Sequence, residues 1–559
     1  MLFLLKQNRI LAEVAILCAL GSLIFSCRAQ DAPATYPVRG VVLDSFTRRP
    51  IARALVDGQS DAALTDNEGS FGVNLSAGMT SVIVRRPGYN STGPMMAHPV
   101  KVGPDMPELT FYLTPDASIN VHVTLSGGDA ADGIRFLAYR RVVRWGHGTW
   151  MMQGSYTTDS DGYFRMMNLE APASYVLCSM PTEDSMAPAG LEKTTYGYPP
   201  ECYPGVTDLS TAGPLAVYPG QQAEAEIALT RQPFFPVSIL MPDRAQGQQA
   251  GVSIGDQTWR GIGYTTRFNT QQGMTEVNLP NGRYYAESRY NNGKAMSYGR
   301  IDFQVSGQPV LGLSMALHPL NPIAVEIHKE FTSTNDSART GFVIGSATNG
   351  VNPGININLI SVDSLTANMD SHTPQRPAGL TDDSHFEMAD VLPGRYWVQT
   401  WAFQGYVSSI SSGGADLARE PLVVGPGGAA APIEISLRND GGRIDATINP
   451  NSPGNSASNS GEGITSIVFA YAIPQFPSTA QMAMAAGQTA GHFMFGNLAP
   501  GAYRVVAFDK SEEIDLDDVQ MMARINSQSQ TVTVEPGATA TVQLDVIQTA
   551  LTGGEGSTP

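Results

Sequence analysis

The chain has 559 residues, of which 15% are charged, and a formal net charge of −17 with no basic block anywhere. That balance argues against nucleic acid and anionic membrane as partners, because phosphate binding depends on clustered Lys and Arg. The length exceeds what one hydrophobic core can serve, and 57 Gly and 38 Pro punctuate short runs of Val, Thr and Tyr. This grammar predicts several all-β modules of about 100 residues each.

The first element reads as an export leader, residues 1–29. Lys6 and Arg9 precede the apolar run "VAILCALGSLIF", which has the length of a signal-peptide core and is short for a bilayer span. Two endings stay open: cleavage after Ala29, or lipidation of Cys27, since "IFSC" is similar to a bacterial lipobox apart from Phe25. Either places the mature chain outside the cytoplasm, secreted, periplasmic or on the outer surface. Beyond the leader only Cys178 and Cys202 remain. In an oxidising compartment one disulfide is expected, with two separate buried thiols as the alternative.

A turn followed by a tyrosine-led strand then recurs as "LEAPASYVLCS", "LPNGRYYAESR", "LPGRYWVQTWA" and "LAPGAYRVVAFD". Its tyrosines, Tyr175, Tyr284, Tyr396 and Tyr503, are 109, 112 and 107 residues apart, one sandwich-sized module per step. An apolar residue precedes each turn by about ten positions: Phe164, Met274, Phe386 and Phe493. The short strand between ends at Leu169, Leu279, Leu392 or Leu498. This pattern predicts a β-hairpin with Pro and Gly at the reversal and Tyr opening the return strand. Joints such as "LTFYLTP", "EIALTRQPFFPVSIL" and "IEISLRNDGGRIDATI" link β-runs through few residues, so modules stacked end to end are expected.

The stretch from Val38 to Asn90 carries a more specific pattern: Gly40 and Val42, "RRPIARALV" with Pro50 and Ala54, "TDNEGSF" with Thr65, Asp66, Gly69 and Phe71, and "PGY" at Pro87 to Tyr89. It closely resembles the carboxypeptidase regulatory-like domain, which implies a seven-stranded transthyretin-like sandwich with a carbohydrate-binding-like fold. The second module is similar to such domains through "TTDSDGYFRMMNLEAPASYVL", with Thr158, Asp159, Gly162 and Phe164, although Ala173 or Ser174 replaces the turn glycine. Later copies are more degenerate. The expected division is 36–115 for the regulatory-like domain, then modules at 116–233, 234–320, 321–440 and 441–549. A mobile loop is expected at 449–463 and a disordered tail at 550–559.

Catalytic motifs such as HExxH, GxSxG and a Walker loop are missing from the sequence. The peptidase that accompanies the regulatory-like domain is missing too, so a non-enzymatic chain without cofactor or metal is expected. Glu326, His328 and Glu330 alternate along one strand face, which reads as a metal set or, more simply, as a solvated face. Asp66, Glu68, Asp159 and Asp161 read as turn residues before calcium ligands. "KSEEIDLDD" before "VQMMARI" predicts a short helix with carboxylates in its first turn.

Aromatic residues are the candidates for binding. Trp145, Trp150 and Tyr156 surround two glycines in "RWGHGTWMMQGSY", as a stacking platform or as inward core residues. Trp397 and Trp401 share a strand face opposite to Tyr396 and are expected to pack. The expected protein is an exported all-β binding or scaffolding chain, with a glycan or a cell-surface protein as partner; the alternative is a structural stalk or adhesin-like spacer.

Overall fold

The computed structural model describes residues 34–548, apart from 91–96, 105, 145, 185–194, 242–250, 257–262, 292–295, 333–353, 363–368, 378–383, 450–451, 453–466, 481, 489–490 and 510. The expected leader with Cys27 and Ala29, the tail 550–559, Trp145 and most of 449–463 lie outside these. Among the described residues no helix is long and apolar enough to cross a membrane.

The fold is all-β, and its five main apolar clusters each draw on one continuous stretch of chain: Val38 to Leu113, Ala117 to Leu229, Phe234 to Met315, Ile323 to Leu437, and Ile444 to Val546. Each cluster is enclosed by two sheets, and the same topology builds all five. The opening strand of a module pairs parallel with its last long strand: Thr35–Asp44 with Leu109–Pro115, Ala117–Leu125 with Gln222–Leu229, Gln232–Leu240 with Val310–Ser314, Ile323–Glu330 with Ile433–Arg438, and Gly442–Ile448 with Thr539–Leu544. On its other edge the opening strand takes an antiparallel partner from mid-module, such as Tyr163–Leu169 or His492–Leu498. Among its described residues the first module has eight strands, including the two-residue Tyr89–Asn90.

The recurrent turn is not the hairpin its sequence suggests. Tyr163–Leu169 lies in the sheet of the opening strand, whereas Ala173–Ser179 lies in the facing sheet. The other three copies divide in the same way. The turn is a corner that carries the chain across the core, and tyrosine holds it. Tyr284 donates its O–H to the carbonyl of Pro280 at 3.0 Å, Tyr396 to Leu392 at 2.9 Å and Tyr503 to Ala499 at 2.8 Å. In the second module, where Ala173 stands in the glycine's place, Tyr175 reaches one residue further back, to Glu170 at 3.0 Å. All four rings are buried, so the phenol needs a partner and the corner carbonyl supplies it.

A second correction concerns strand phase. Asn168, Asp390 and Asn497 adopt positive φ just before the corner, and the buried residues that follow them are Leu169, Val391 and Leu498. Val391, not Leu392, is thus the corner's core residue. The third module has ordinary φ at Asn278, its strand alternates without a break, and Met274 is only half-buried while Val277 enters the core.

The Thr-Asp motifs of the first two modules form one device. Thr65 donates to the carbonyl of Ile51 at 2.6 Å and accepts from the amide of Ala54 at 2.8 Å. Thr158 donates to Ala131 and accepts from Ile134. Asp66 Oδ1 accepts from the amides of Glu68 and Ser70, and Asp159 Oδ1 from those of Asp161 and Tyr163. These carboxylates close Asx turns. Gly69 and Gly162 sit at φ 74° and 80°, where an added Cβ would fall 2.7 Å from the Val42 carbonyl oxygen and 2.4 Å from that of Val123.

Candidate functional site

Among the described residues the fourth module presents an exposed aromatic face. Its sheet places Ile355–Ser361 beside Gly394–Ala402, with Ile360 opposite Trp397, Asn358 opposite Gln399 and Asn356 opposite Trp401. Tyr396, Val398 and Thr400 point into the core, so parity sends Trp397, Gln399 and Trp401 outward. Trp397 is 41% and Trp401 54% exposed, against the expectation that this face serves packing. Alternation correctly gives them one shared face; it is silent on burial because both faces of this strand carry large residues.

The two rings stand about 13 Å apart along the strand at roughly 3.3 Å per residue. Between them the Oε1 of Gln399 is shielded from solvent and has no hydrogen-bond partner among the described residues. The flanking in-register positions carry Asn356, whose Oδ1 accepts from Thr373 at 3.3 Å, the buried Asn358 and the apolar Ile360, with Arg395 and Val423 paired on the opposite edge. Phe403, just past the strand, is 43% exposed. Of the exposed members of the set, Trp397, Trp401 and Phe403 are aromatic.

Trp150 and Tyr156 lie on the strand His147–Thr157, paired with Arg135–Arg144. A bulge between Ala138 and Tyr139 breaks the alternation, so Trp150, opposite Arg141, and Tyr156, opposite Phe136, take different faces. Trp150 packs against the small cluster around Tyr139, Val176, Cys178 and Cys202. Tyr156 stacks on Phe164 with centroids 5.7 Å apart and joins the main core, where burial pushes its phenol pKa up. Cys178 and Cys202 form a disulfide with Cα atoms 4.0 Å apart.

The metal candidates stay dispersed. Glu326, His328 and Glu330 lie on the outer face of Ile323–Glu330, opposite Glu434, Ser436 and Arg438. Among the described residues no group of three His, Cys, Asp or Glu side chains is placed to hold a metal ion. The acidic run precedes its helix instead of entering it. Asp518 caps the helix Val519–Gln528 by accepting from the amides of Gln520 and Met521, and the first turn holds no acid.

A groove of about 610 Å³ crosses the third module's outer sheet. Its charged groups are committed to one another: Glu183 accepts from Asn278 at 2.9 Å and pairs with Arg267 at 3.5 Å, while Glu276 accepts from Asn269 at 2.9 Å. This network joins the strap Thr182–Glu183 to the third module and serves the junction.

No family model matches the chain, so the likeness to the carboxypeptidase regulatory-like domain rests on the motif residues quoted above. No curated protein matches it either. Among solved structures it is similar to the Bacillus anthracis TIE protein at 11% identity and a TM-score of 0.15, over 66% of this chain and 63% of that one, just under two thirds of its length. It is similar to a streptococcal ancillary pilin at 10% identity and a TM-score of 0.18, over 51% of this chain and 100% of that one. A minor pilin of Streptococcus agalactiae matches at 10% identity and a TM-score of 0.18, over 37% and 98% of the two chains. At these scores the likenesses carry no functional argument.

Proposed function

We propose that this is an exported, non-catalytic binding scaffold whose fourth module offers Trp397 and Trp401 to an extended, uncharged glycan. The observation that carries the reading is the pair of exposed indoles on one strand face, with the exposed Phe403 just past them. Indole faces stack on the apolar faces of sugar rings. The chain's net charge of −17 favours a neutral polymer over an acidic one. The units of the scaffold are 36–115, 116–233, 234–320, 321–440 and 441–549, delivered by the leader 1–29 and either released or held through Cys27.

The test is a pull-down of residues 30–559 on a panel of insoluble polysaccharides, beside a Trp397→Ala/Trp401→Ala double variant and a Trp150→Ala variant. Retention of the wild type and of Trp150→Ala, with loss in the double variant, supports the reading. Retention of all three proteins rejects the site.

A second reading, a stiff spacer presenting one end to a protein partner, is favoured by the joint between the second and third modules. There the strand Thr195–Tyr198 pairs with Gln232–Leu240, so one sheet spans both modules. Arg231 also pairs with Asp184 at 2.8 Å. Failure of the chain to retain any glycan would favour this role.

A further inference from the structure

The second and fifth modules touch across some 370 positions of sequence. The hairpin Arg135–Arg144 and His147–Thr157 meets the acidic segment 512–518. Arg141 Nη2 lies 2.5 Å from Asp515 Oδ2, and that carboxylate is 5% exposed. His147 Nδ1 lies 2.8 Å from Asp517 Oδ2. The amide of Val143 donates to Glu513 at 3.0 Å, and that of Leu516 donates to the carbonyl of Gly146 at 2.7 Å. The fit needs bare backbone: a Cβ on Gly146 would fall 2.5 Å from Leu516 Cδ1, and one on Gly148 would fall 2.6 Å from Asp515 Oδ2.

The intervening joints are also tied. The sheet shared by the second and third modules is described above. Leu320 donates its amide to Met296 and the adjacent Asn321 donates to Gly427, so this link is pinned on both sides. Thr400 accepts no slack from the fifth module: its amide donates to the carbonyl of Thr479 at 2.9 Å and the two hydroxyls lie 2.9 Å apart. Asn497 donates to the carbonyl of Gly405.

We infer that segment 512–518 is a charge latch that locks into the basic hairpin of the second module and closes modules two to five into a ring, in place of the end-to-end stack that short links suggest. The latch spans some 370 positions, the longest separation among these four joints, and of its two charge pairs His147–Asp517 is the exposed one. Salt weakens that pair, since the screening length shrinks from about 10 Å at 0.1 M to about 3 Å at 1 M, whereas Arg141–Asp515, with its buried carboxylate, is screened less.

Small-angle scattering on residues 30–559 tests this with the charge-reversal variants Arg141→Glu and Asp515→Arg and with their combination. The radius of gyration is expected to rise in each single variant and in wild type at 1 M salt, and to return to the wild-type value in the double variant. Gly148→Trp, which leaves every charge in place and adds more bulk than a shift of the Arg141 and Asp515 side-chain ends can admit, is expected to expand the chain as well and guards against a charge variant that fails to fold. Unchanged dimensions in Gly148→Trp and the single variants, or a double variant as expanded as either single one, would overturn the latch.

Discussion

Tyr503 and Ala499 are joined by a 2.8 Å hydrogen bond from the buried phenol to a corner carbonyl, across the turn where the chain leaves one sheet for the other. The same bond in three other modules explains why the chain repeats tyrosine at this spacing. The ring fills the core while its hydroxyl satisfies a carbonyl that no strand can reach.

Tyr503→Phe therefore keeps the apolar contacts and strands the Ala499 carbonyl. Leaving one buried polar group unpaired costs about 1–3 kcal/mol, whereas Tyr503→Ala, which also empties core volume, costs about 3–5 kcal/mol by analogy with large aromatic truncations. Hydrogen exchange resolved by peptide is the suitable measurement, because a five-module chain does not unfold as a two-state system. Lost protection should be confined to the fifth module.

Thr158→Val tests the Thr-Asp device in the second module. Valine matches the shape but leaves the Ala131 carbonyl and the Ile134 amide without their side-chain partner, at a cost of about 1–3 kcal/mol. Thr65→Val should do the same to the first module, and limited proteolysis should cut each variant only in its own module.

Much of this fold is legible in the sequence, and the reasons for the gaps are local. Tyrosine spacing reports the size of the last four modules because each of their corners holds one phenol; the first module turns its corresponding corner, from Ser70–Ser76 to Gly78–Arg85, without a tyrosine. It does not report that the corner crosses between sheets, since the strand Tyr163–Leu169 takes its ladder partner from Ala117–Leu125, far upstream. Parity groups Trp397 with Trp401 but cannot say which face is wet. Parity also groups Trp150 with Tyr156, and there a single bulge opposite Ala138 and Tyr139 separates them. The contact of Arg141 with Asp515 leaves no periodic signal at all, only two segments of opposite charge.

The Cys178–Cys202 disulfide, with a sequence separation of 24, should stabilise the second module by about 3 kcal/mol in the chain-entropy account. A Cys178→Ser/Cys202→Ser variant should unfold its second module at lower denaturant concentration, and reductant should reproduce this in wild type. The first and fourth modules should be unaffected in either case.

Glu201 sits beside that disulfide, buried, with Oε1 accepting from the Thr230 amide at 2.9 Å. Burial pushes its carboxyl pKa up, and the hydrogen bonds from Thr230 offset this only in part. The folded chain thus holds the proton more tightly than the unfolded chain, so this group's contribution favours folding at low pH and is lost as pH rises through and above the ordinary carboxylate range. Glu201→Gln should abolish that dependence and leave the second module more stable than wild type at neutral pH. A variant with the same pH slope as wild type would show that Glu201 is not the source of that dependence.

The binding account rests on Trp397 and Trp401 making contact with sugar. The most direct measurement is tryptophan fluorescence of residues 30–559 titrated with a soluble oligosaccharide cut from whichever polysaccharide retains the protein. Surface truncations of this kind shift stability by only about 0.5 kcal/mol, so Trp397→Ala/Trp401→Ala should remain folded. The account predicts a saturable spectral change in wild type and in Trp150→Ala that vanishes in the double variant. A change that persists undiminished in the double variant would contradict it.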